Sequence, residues 1–176
     1  MISPLTAIVF VLICIFLFFG LVVFVGAPYI PSHRKDIKKA FDHFDINNSD
    51  VLVDAGSGDG VVLRSAASRG AQAIGYEINP ILVGVSRLLS LRDPNVTVLL
   101  QNVWLATLPE ETTIVYAFSV QRDEKKLIAL LQREANRLNK PLRLLCYASP
   151  FTGMKASDTF EAYYLYIFHP LQSKNA

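Results

Sequence analysis

Cysteine and histidine are scarce in this chain of 176 residues, which has two cysteines and three histidines. Cys14 and Cys146 are far apart, and the sequence has no Cys-x-x-Cys pair and no His/Cys cluster. We therefore expect neither a disulfide framework nor a metal site. The chain also lacks a long run of one charge, and its formal net charge is only +2. This charge pattern argues against a basic nucleic-acid-binding arm, so we expect no nucleic-acid partner.

Charge is entirely missing from residues 1–27, where residues 7–27 form an unbroken apolar run. As a helix, this run would be about 31 Å long, which matches the hydrocarbon core of a bilayer. A cleaved signal peptide is the alternative, but the segment has no positive region before the apolar run, and Pro28 would follow the cut. The sequence therefore predicts a transmembrane helix over 7–27 and one domain over 28–176.

The first charges of the chain follow the apolar run closely and are mostly positive. Under the positive-inside rule, this asymmetry predicts a single-pass membrane protein with its domain on the cytoplasmic or mitochondrial matrix side. The bilayer is then an expected partner through the N-terminal helix. The basic residues that carry the prediction are Arg34, Lys35, Lys38 and Lys39.

Strand and helix patterns alternate through the rest of the chain. Strands separated by helices, with nearly continuous apolar character, indicate a mostly parallel sheet covered on both faces. A single clear strand follows residue 147, so we expect an α/β fold that is shortened at its C-terminus. Helices are predicted at 33–44, 60–69, 80–91 and 123–139, and strands at 51–54, 72–77, 96–101, 113–118, 142–147 and 162–168.

A glycine-rich turn directly follows the first predicted strand. Gly56, Gly58 and Gly60 can adopt positive φ and let a ligand approach the backbone without a Cβ in the way. Asp54 precedes the turn, and Glu77 ends the next strand, where a carboxylate can accept hydrogen bonds from both hydroxyls of a ribose. A dinucleotide fingerprint is Gly-x-Gly-x-x-Gly, whereas this turn is Gly-x-Gly-x-Gly. The pattern therefore argues against a nucleotide-dependent oxidoreductase.

The turn and the acid at the second strand resemble the first motif of class I S-adenosylmethionine-dependent methyltransferases, which have a Rossmann-like fold. The resemblance implies that S-adenosyl-L-methionine is the cofactor, with the glycine turn under its amino-acid part and the second acid on its ribose. It also implies an adenine contact by the residue after the third strand and packing of the residue after the ribose acid on the adenine face. The predicted cofactor-binding residues are Asp54, Gly56, Gly58, Gly60, Glu77, Ile78 and Asn102.

Further stretches resemble one subgroup, the membrane-anchored protein-lysine methyltransferases that modify the adenine nucleotide translocase and the ATP synthase c-subunit, together with their prokaryotic relatives. They are the apolar segment running into residues 27–32, and residues 75–87, which contain Glu-x-Asn-Pro-x-Leu-Val-x-x-Ser-Arg. Residues 102–104 resemble the group's Asp-Leu-Trp, with Asn102 in place of Asp. The resemblance implies a protein-lysine N-methyltransferase whose substrate is a membrane or juxtamembrane protein.

Two other functions remain open at this point. One is a methyltransferase for a membrane-derived small molecule such as a lipid or a quinone, and the other is a non-catalytic scaffold of the same fold. The fourth strand ends in residues 118–120, where a substrate-facing loop is expected, and these are not the Asn-Pro-Pro-Tyr type of motif. No catalytic base is identified, because Asp59 near the expected mouth is equally suited to cap the following helix.

Overall fold

The computed structural model describes residues 3–25, 34–119 and 121–171, and within them the side chains of all residues except 16–25 and 119. The chain divides into two compact units, Met1–Pro31 and Ser32–Ala176. The end of the predicted membrane helix and the stretch at 27–32 lie outside the described residues.

The first unit contains a helix, α1 (Pro4–Val25), whose side chains are described as far as Ile15 and are exposed. Within the residues that can be described, no helix combines the length and the apolar character that crossing a membrane requires. On this finding, the predictions of a transmembrane helix and of a single-pass membrane protein are wrong, and the predicted bilayer partner is not supported.

The second unit is built on one sheet with helices on both faces. Its strand order is β3-β2-β1-β4-β5-β7-β6, and β1 to β5 run parallel while β7 is antiparallel to both of its neighbours. The predicted parallel α/β architecture is thus present. The elements are α2 (Arg34–His43), β1 (Val51–Ala55), α3 (Val61–Ala67), β2 (Gln72–Glu77), α4 (Pro80–Leu89), β3 (Val96–Leu100), β4 (Ile114–Ser119), α5 (Glu124–Leu138), β5 (Leu142–Ala148), β6 (Asp158–Phe160) and β7 (Tyr163–Phe168).

The prediction of a shortened C-terminus is wrong, because two strands follow β5. β6 and β7 form an antiparallel pair, and β7 inserts between β5 and β6. β6 is only three residues long, and the first two of them are exposed. A strand this short at the edge of the sheet has no buried alternation, so the sequence gives no periodic signal for it.

Each face of the sheet has its own apolar core. On one face, α2 and α3 pack against even-numbered residues of β1 and β4, and Ile37, Phe41 and Leu63 are fully buried there. On the other face, α5 packs Leu127 and Leu131 against β4 and β5. This three-layer arrangement leaves the carboxyl ends of β1 to β5 together at one edge of the sheet, which is where ligands bind in open α/β folds.

A buried carboxylate on α5 fixes the segment that leaves this edge after β3. Glu134 is 1% exposed and accepts hydrogen bonds from the Leu108 amide at 3.2 Å and from Arg133 and Arg137, each at 2.8 Å. The two arginines also donate to the carbonyls of Ala106 and Leu108. Burial alone would raise the pKa of Glu134, but these hydrogen bonds lower it below its ordinary value. The carboxylate therefore stays charged and holds residues 106–108 against the helix.

Candidate cofactor site

The glycine turn lies across the end of β2. The amides of Gly56 and Ser57 both donate to the carbonyl of Tyr76, at 2.9 and 3.0 Å. Gly56 has a φ of +113°, and a Cβ built there would meet no atom within 4 Å. The backbone at Gly56 therefore faces open space, so a ligand can approach it closely.

Gly60 is required for a different reason. Its φ is +80°, and a Cβ there would overlap the hydroxyl of Ser86 on α4 and lie 3.0 Å from the guanidinium of Arg64. Gly60 thus lets α4 pack against the start of α3. The sequence motif combines a glycine that keeps the ligand side open with a glycine that keeps two helices close.

Glu77 lies at the end of β2 with 9% of its surface exposed, directly beside the turn. Its Oε2 accepts a hydrogen bond from the Gly58 amide at 3.0 Å, and its Oε1 accepts one from the Asn79 amide at 2.7 Å. A carboxylate has about four lone-pair sites, so two acceptor sites remain for further donors. The open backbone at Gly56 fits the amino-acid part of S-adenosylmethionine. The carboxylate of Glu77, which is fixed and still has free acceptor sites, fits the ribose.

Asp54 is the most strongly perturbed acid of the site. Its side chain is 3% exposed at the end of β1. Its pKa is raised from 3.8 to about 8, mostly by burial and in addition by the neighbouring carboxylates of Glu77 and Asp59. A cationic group that binds next to such a carboxylate stabilises its ionised form.

The predicted adenine contacts lie at the same edge of the sheet. Ile78 follows Glu77 and is 38% exposed. Asn102 follows β3, next to β2, because the Gln101 amide donates to the Glu77 carbonyl at 3.0 Å. The Asn102 side chain is exposed and accepts a hydrogen bond from the Trp104 amide at 3.1 Å. The seven predicted residues therefore lie at one edge of the sheet, and their contacts with a cofactor stay a prediction.

Asp59 caps the helix that follows the turn, since its Oδ1 accepts a hydrogen bond from the Val61 amide at 3.1 Å. Arg64 lies 3.8 Å from the same carboxylate. These contacts favour the helix-capping interpretation of Asp59 over a role as catalytic base. Across the described part of the chain, no group of three or more His, Cys, Asp or Glu side chains could hold a metal ion.

The stretch at 75–87 also contains two residues, Asn79 and Arg87, that hold elements of the site in place and whose roles the sequence motif does not indicate. The side chain of Asn79 caps α4 by accepting a hydrogen bond from the Ile81 amide at 2.9 Å, and the backbone amide of Asn79 donates a hydrogen bond to Glu77. An Asn-Pro pair before an apolar run is the usual signal for such a cap. Arg87 donates twice to the carbonyl of Val98 on the edge strand β3. These contacts make Asn79 and Arg87 positioning residues.

Gly75 is the close contact between β2 and the glycine turn, and replacing it with alanine tests this packing. A Cβ at Gly75 would lie 2.6 Å from both the Ser57 Cβ and the Leu63 Cδ1. We expect Gly75→Ala to lower the free energy of unfolding by about 1–3 kcal/mol, the usual cost of overpacking a core. Urea denaturation measures this, with Gly84→Ala on α4 as the control, because a Cβ at Gly84 meets nothing within 4 Å. Equal stability of the two variants would contradict the packing argument.

Comparison with curated proteins identifies similar sequences. The chain is 31% identical to the ATP synthase c-subunit lysine N-methyltransferase of Homo sapiens over 127 residues, which are 70% of this chain and 52% of that relative. It is 39% identical to the protein of the same name from Xenopus laevis over 66 residues, which are 38% of this chain and 29% of that relative. The chain thus spans about half the length, or less, of the curated relatives that it matches. No protein-family model matches it.

Comparison with solved structures identifies the fold. The chain superposes on an RNA methyltransferase from Salinibacter ruber in complex with S-adenosyl-L-homocysteine with a TM-score of 0.71 and 21% identity, covering 83% of this chain and 98% of that one. It superposes on an S-adenosylmethionine-dependent O-methyltransferase from Thermotoga maritima with a TM-score of 0.57 and 13% identity, covering 74% and 49%. At these identities the match shows the fold alone.

The sequence resemblance to methyltransferases is confirmed by both comparisons, and the enzyme class and cofactor predicted from the motifs agree with the names of these proteins. The chain has the Rossmann-like fold of the class I S-adenosylmethionine-dependent methyltransferases, and it is similar in sequence to the lysine N-methyltransferases of the ATP synthase c-subunit.

Proposed function

We propose that this protein is an S-adenosylmethionine-dependent methyltransferase that methylates a lysine side chain of a protein substrate. The observation that carries the proposal is the Glu77 carboxylate, which backbone amides fix beside an open glycine turn while two of its acceptor sites stay available. The choice of lysine depends on the similarity over 127 residues to a protein named as a lysine N-methyltransferase.

The cofactor supplies a methyl carbon that is activated by its attachment to a sulfonium. The residues of this chain bind and orient the cofactor. Glu77 accepts hydrogen bonds from the ribose hydroxyls, and the backbone at Gly56 lies under the amino-acid part of the cofactor. Asp54 adds a negative charge close to the cationic end of the cofactor. Holding the acceptor nitrogen about 3–3.5 Å from the methyl carbon accounts for much of the rate in such displacements. No residue of the described chain is assigned as a base.

Titration of the full chain with S-adenosylmethionine and S-adenosylhomocysteine tests the cofactor part of the proposal. We expect both to bind, with dissociation constants in the micromolar range. A folded chain that binds neither compound would contradict the methyltransferase function and favour a non-catalytic scaffold of the same fold.

Transfer of labelled methyl groups tests the acceptor part. Cell fractions incubated with the protein and labelled donor are expected to incorporate label into protein, and peptide mass spectrometry should find it on lysine. Label found in the small-molecule or lipid extract, and absent from protein, would contradict the lysine assignment and leave the cofactor assignment in place.

A further inference from the structure

Four aromatic side chains form one row across four adjacent strands. Phe118 on β4 pairs in register with Tyr147 on β5, Tyr147 with Tyr163 on β7, and Tyr163 with Phe160 on β6. The ring centroids of Phe118 and Tyr147 are 5.9 Å apart, and those of Tyr147 and Tyr163 are 4.8 Å apart. Side chains paired in register lie on the same face of a sheet, so this aromatic row is a continuous surface on the face covered by α2 and α3.

One end of the aromatic row reaches the glycine turn. Asp54 on β1 pairs with Tyr116 on β4, and Phe118 is two residues further along β4. Phe118 therefore lies near the carboxyl end of β4, at the edge of the sheet where the glycine turn follows β1. Because side chains alternate along a strand, Phe118 is also on the same face as Tyr116 and Asp54. The row thus begins at the edge of the sheet that carries the glycine turn.

Burial separates the row into a core part and an open part. Tyr163 is 1% exposed, and Tyr116 behind Phe118 is 3% exposed, so both belong to the core. Phe118 and Tyr147 are only half-buried, and their rings are tilted by 58° to each other. Core packing explains the burial of Tyr163 and Tyr116. It does not explain why the rings of Phe118 and Tyr147 keep exposed surface at the carboxyl end of the sheet.

Two carboxylates act on the core end of the row, at Tyr163. Burial raises the pKa of the Tyr163 hydroxyl, and the neighbouring Tyr147 and the carboxylates of Asp36 and Glu161 raise it further. Lys39 forms an exposed ion pair with Glu161 at 3.7 Å, whereas Asp36 has no ion pair among the described residues. The electron-rich faces of the two half-buried rings, Phe118 and Tyr147, favour a cation next to them.

We propose that Phe118 and Tyr147 form the wall of the acceptor pocket and contact the amino group of the substrate lysine through cation–π interactions. The lysine loses its proton to solvent before transfer, and its nitrogen regains a positive charge as the N–C bond forms and the bond from the methyl carbon to the sulfonium sulfur breaks, so the rings stabilise the charge that develops on the nitrogen. This inference rests on the proposed function, and it names the two side chains that select the acceptor. Methylation of a lysine nitrogen keeps its positive charge, so the same wall holds the acceptor and its methylated forms.

The test uses the full chain saturated with S-adenosylhomocysteine and two small probes. One is Nα-acetyl-trimethyllysine methylamide, and the other is its neutral isostere, in which carbon replaces the side-chain nitrogen. Binding is followed by NMR titration of the labelled protein. We expect the cationic probe to bind at least threefold more tightly than the neutral one, because cation–π contacts distinguish the two while apolar contacts do not.

Leucine substitutions identify the residues responsible. We expect Phe118→Leu and Tyr147→Leu each to weaken binding of the cationic probe about three- to tenfold and to leave binding of the neutral probe nearly unchanged. Tyr147→Phe should keep the preference for the cationic probe. The control is Tyr164→Leu, because Tyr164 is the neighbouring half-buried tyrosine on the opposite face, in the core against α5. It should bind both probes as the native chain does.

The proposal and the function on which it rests fail in distinguishable ways. If S-adenosylhomocysteine binds every variant, but the native chain shows no preference for the cationic probe, or leucine at 118 and 147 leaves the preference intact, the aromatic wall is contradicted and the methyltransferase function stands. If the native chain does not bind S-adenosylhomocysteine, the proposed function itself fails.

Discussion

Replacing Glu77 with alanine is expected to weaken binding of S-adenosylhomocysteine by about a hundredfold or more. The carboxylate is charged and nearly buried, and each hydrogen bond from a ligand hydroxyl to such a group contributes about 1.5–3 kcal/mol. The substitution also frees the amides of Gly58 and Asn79, which hold the turn and the start of α4 in place. Both effects act in the same direction, so the loss should exceed that of a single hydrogen bond.

Isothermal titration of the native chain, of Glu77→Ala and of Glu111→Ala measures this effect. Glu111 is exposed and lies on the loop before β4, so its alanine variant controls for removal of one negative charge. Thermal unfolding of each variant separates lost binding from lost folding. A folded Glu77→Ala chain that binds as tightly as the Glu111→Ala chain would show that Glu77 does not hold the ligand.

Local sequence patterns predicted the part of the fold that local physics determines. The alternation of apolar strands and amphipathic helices identified five parallel strands and four helices within a few residues of their observed ends. The glycine turn and Glu77 were predictable for the same reason, because positive φ at Gly56 and close packing at Gly60 require glycine whatever lies far away in the sequence.

Features that depend on distant residues could not be predicted in this way. The aromatic row exists because register places Phe118, Tyr147 and Tyr163 side by side, and one residue of slip in any strand would move a ring to the other face. β6 forms only because β7 supplies its hydrogen-bond partners. The apolar N-terminal run illustrates a third limit, since composition alone predicted a membrane-spanning helix that the described residues do not provide.

Asp54→Asn is expected to stabilise the chain at high pH while it weakens cofactor binding. The pKa of Asp54 is raised from 3.8 to about 8 in the folded protein by burial and by its acidic neighbours. The folded state therefore retains a proton that the unfolded state loses above about pH 4. The stability associated with this group is fully present below pH 4 and is lost as the pH rises towards 8, with a slope of up to about 1.4 kcal/mol per pH unit.

Asparagine cannot ionise, so the variant escapes this loss. The free energy of unfolding of Asp54→Asn, relative to the native chain, should rise by a few kcal/mol between pH 5 and pH 8. Urea denaturation at pH 5, 6.5 and 8 measures the difference, from which the other titrating groups cancel because both chains contain them. A difference that does not change with pH would show that Asp54 titrates in its ordinary range.

The same carboxylate should couple cofactor binding to proton release. Near pH 7, most of Asp54 is protonated in the free protein, and the positive charges of S-adenosylmethionine favour its ionised form once they lie beside it. Binding should then release a proton, so the heat measured by titration calorimetry depends on the ionisation enthalpy of the buffer. Asp54→Asn should bind more weakly and show no such contribution from this site. A single acid would thus destabilise the empty fold and favour the cationic ligand for one physical reason, its burial among like charges.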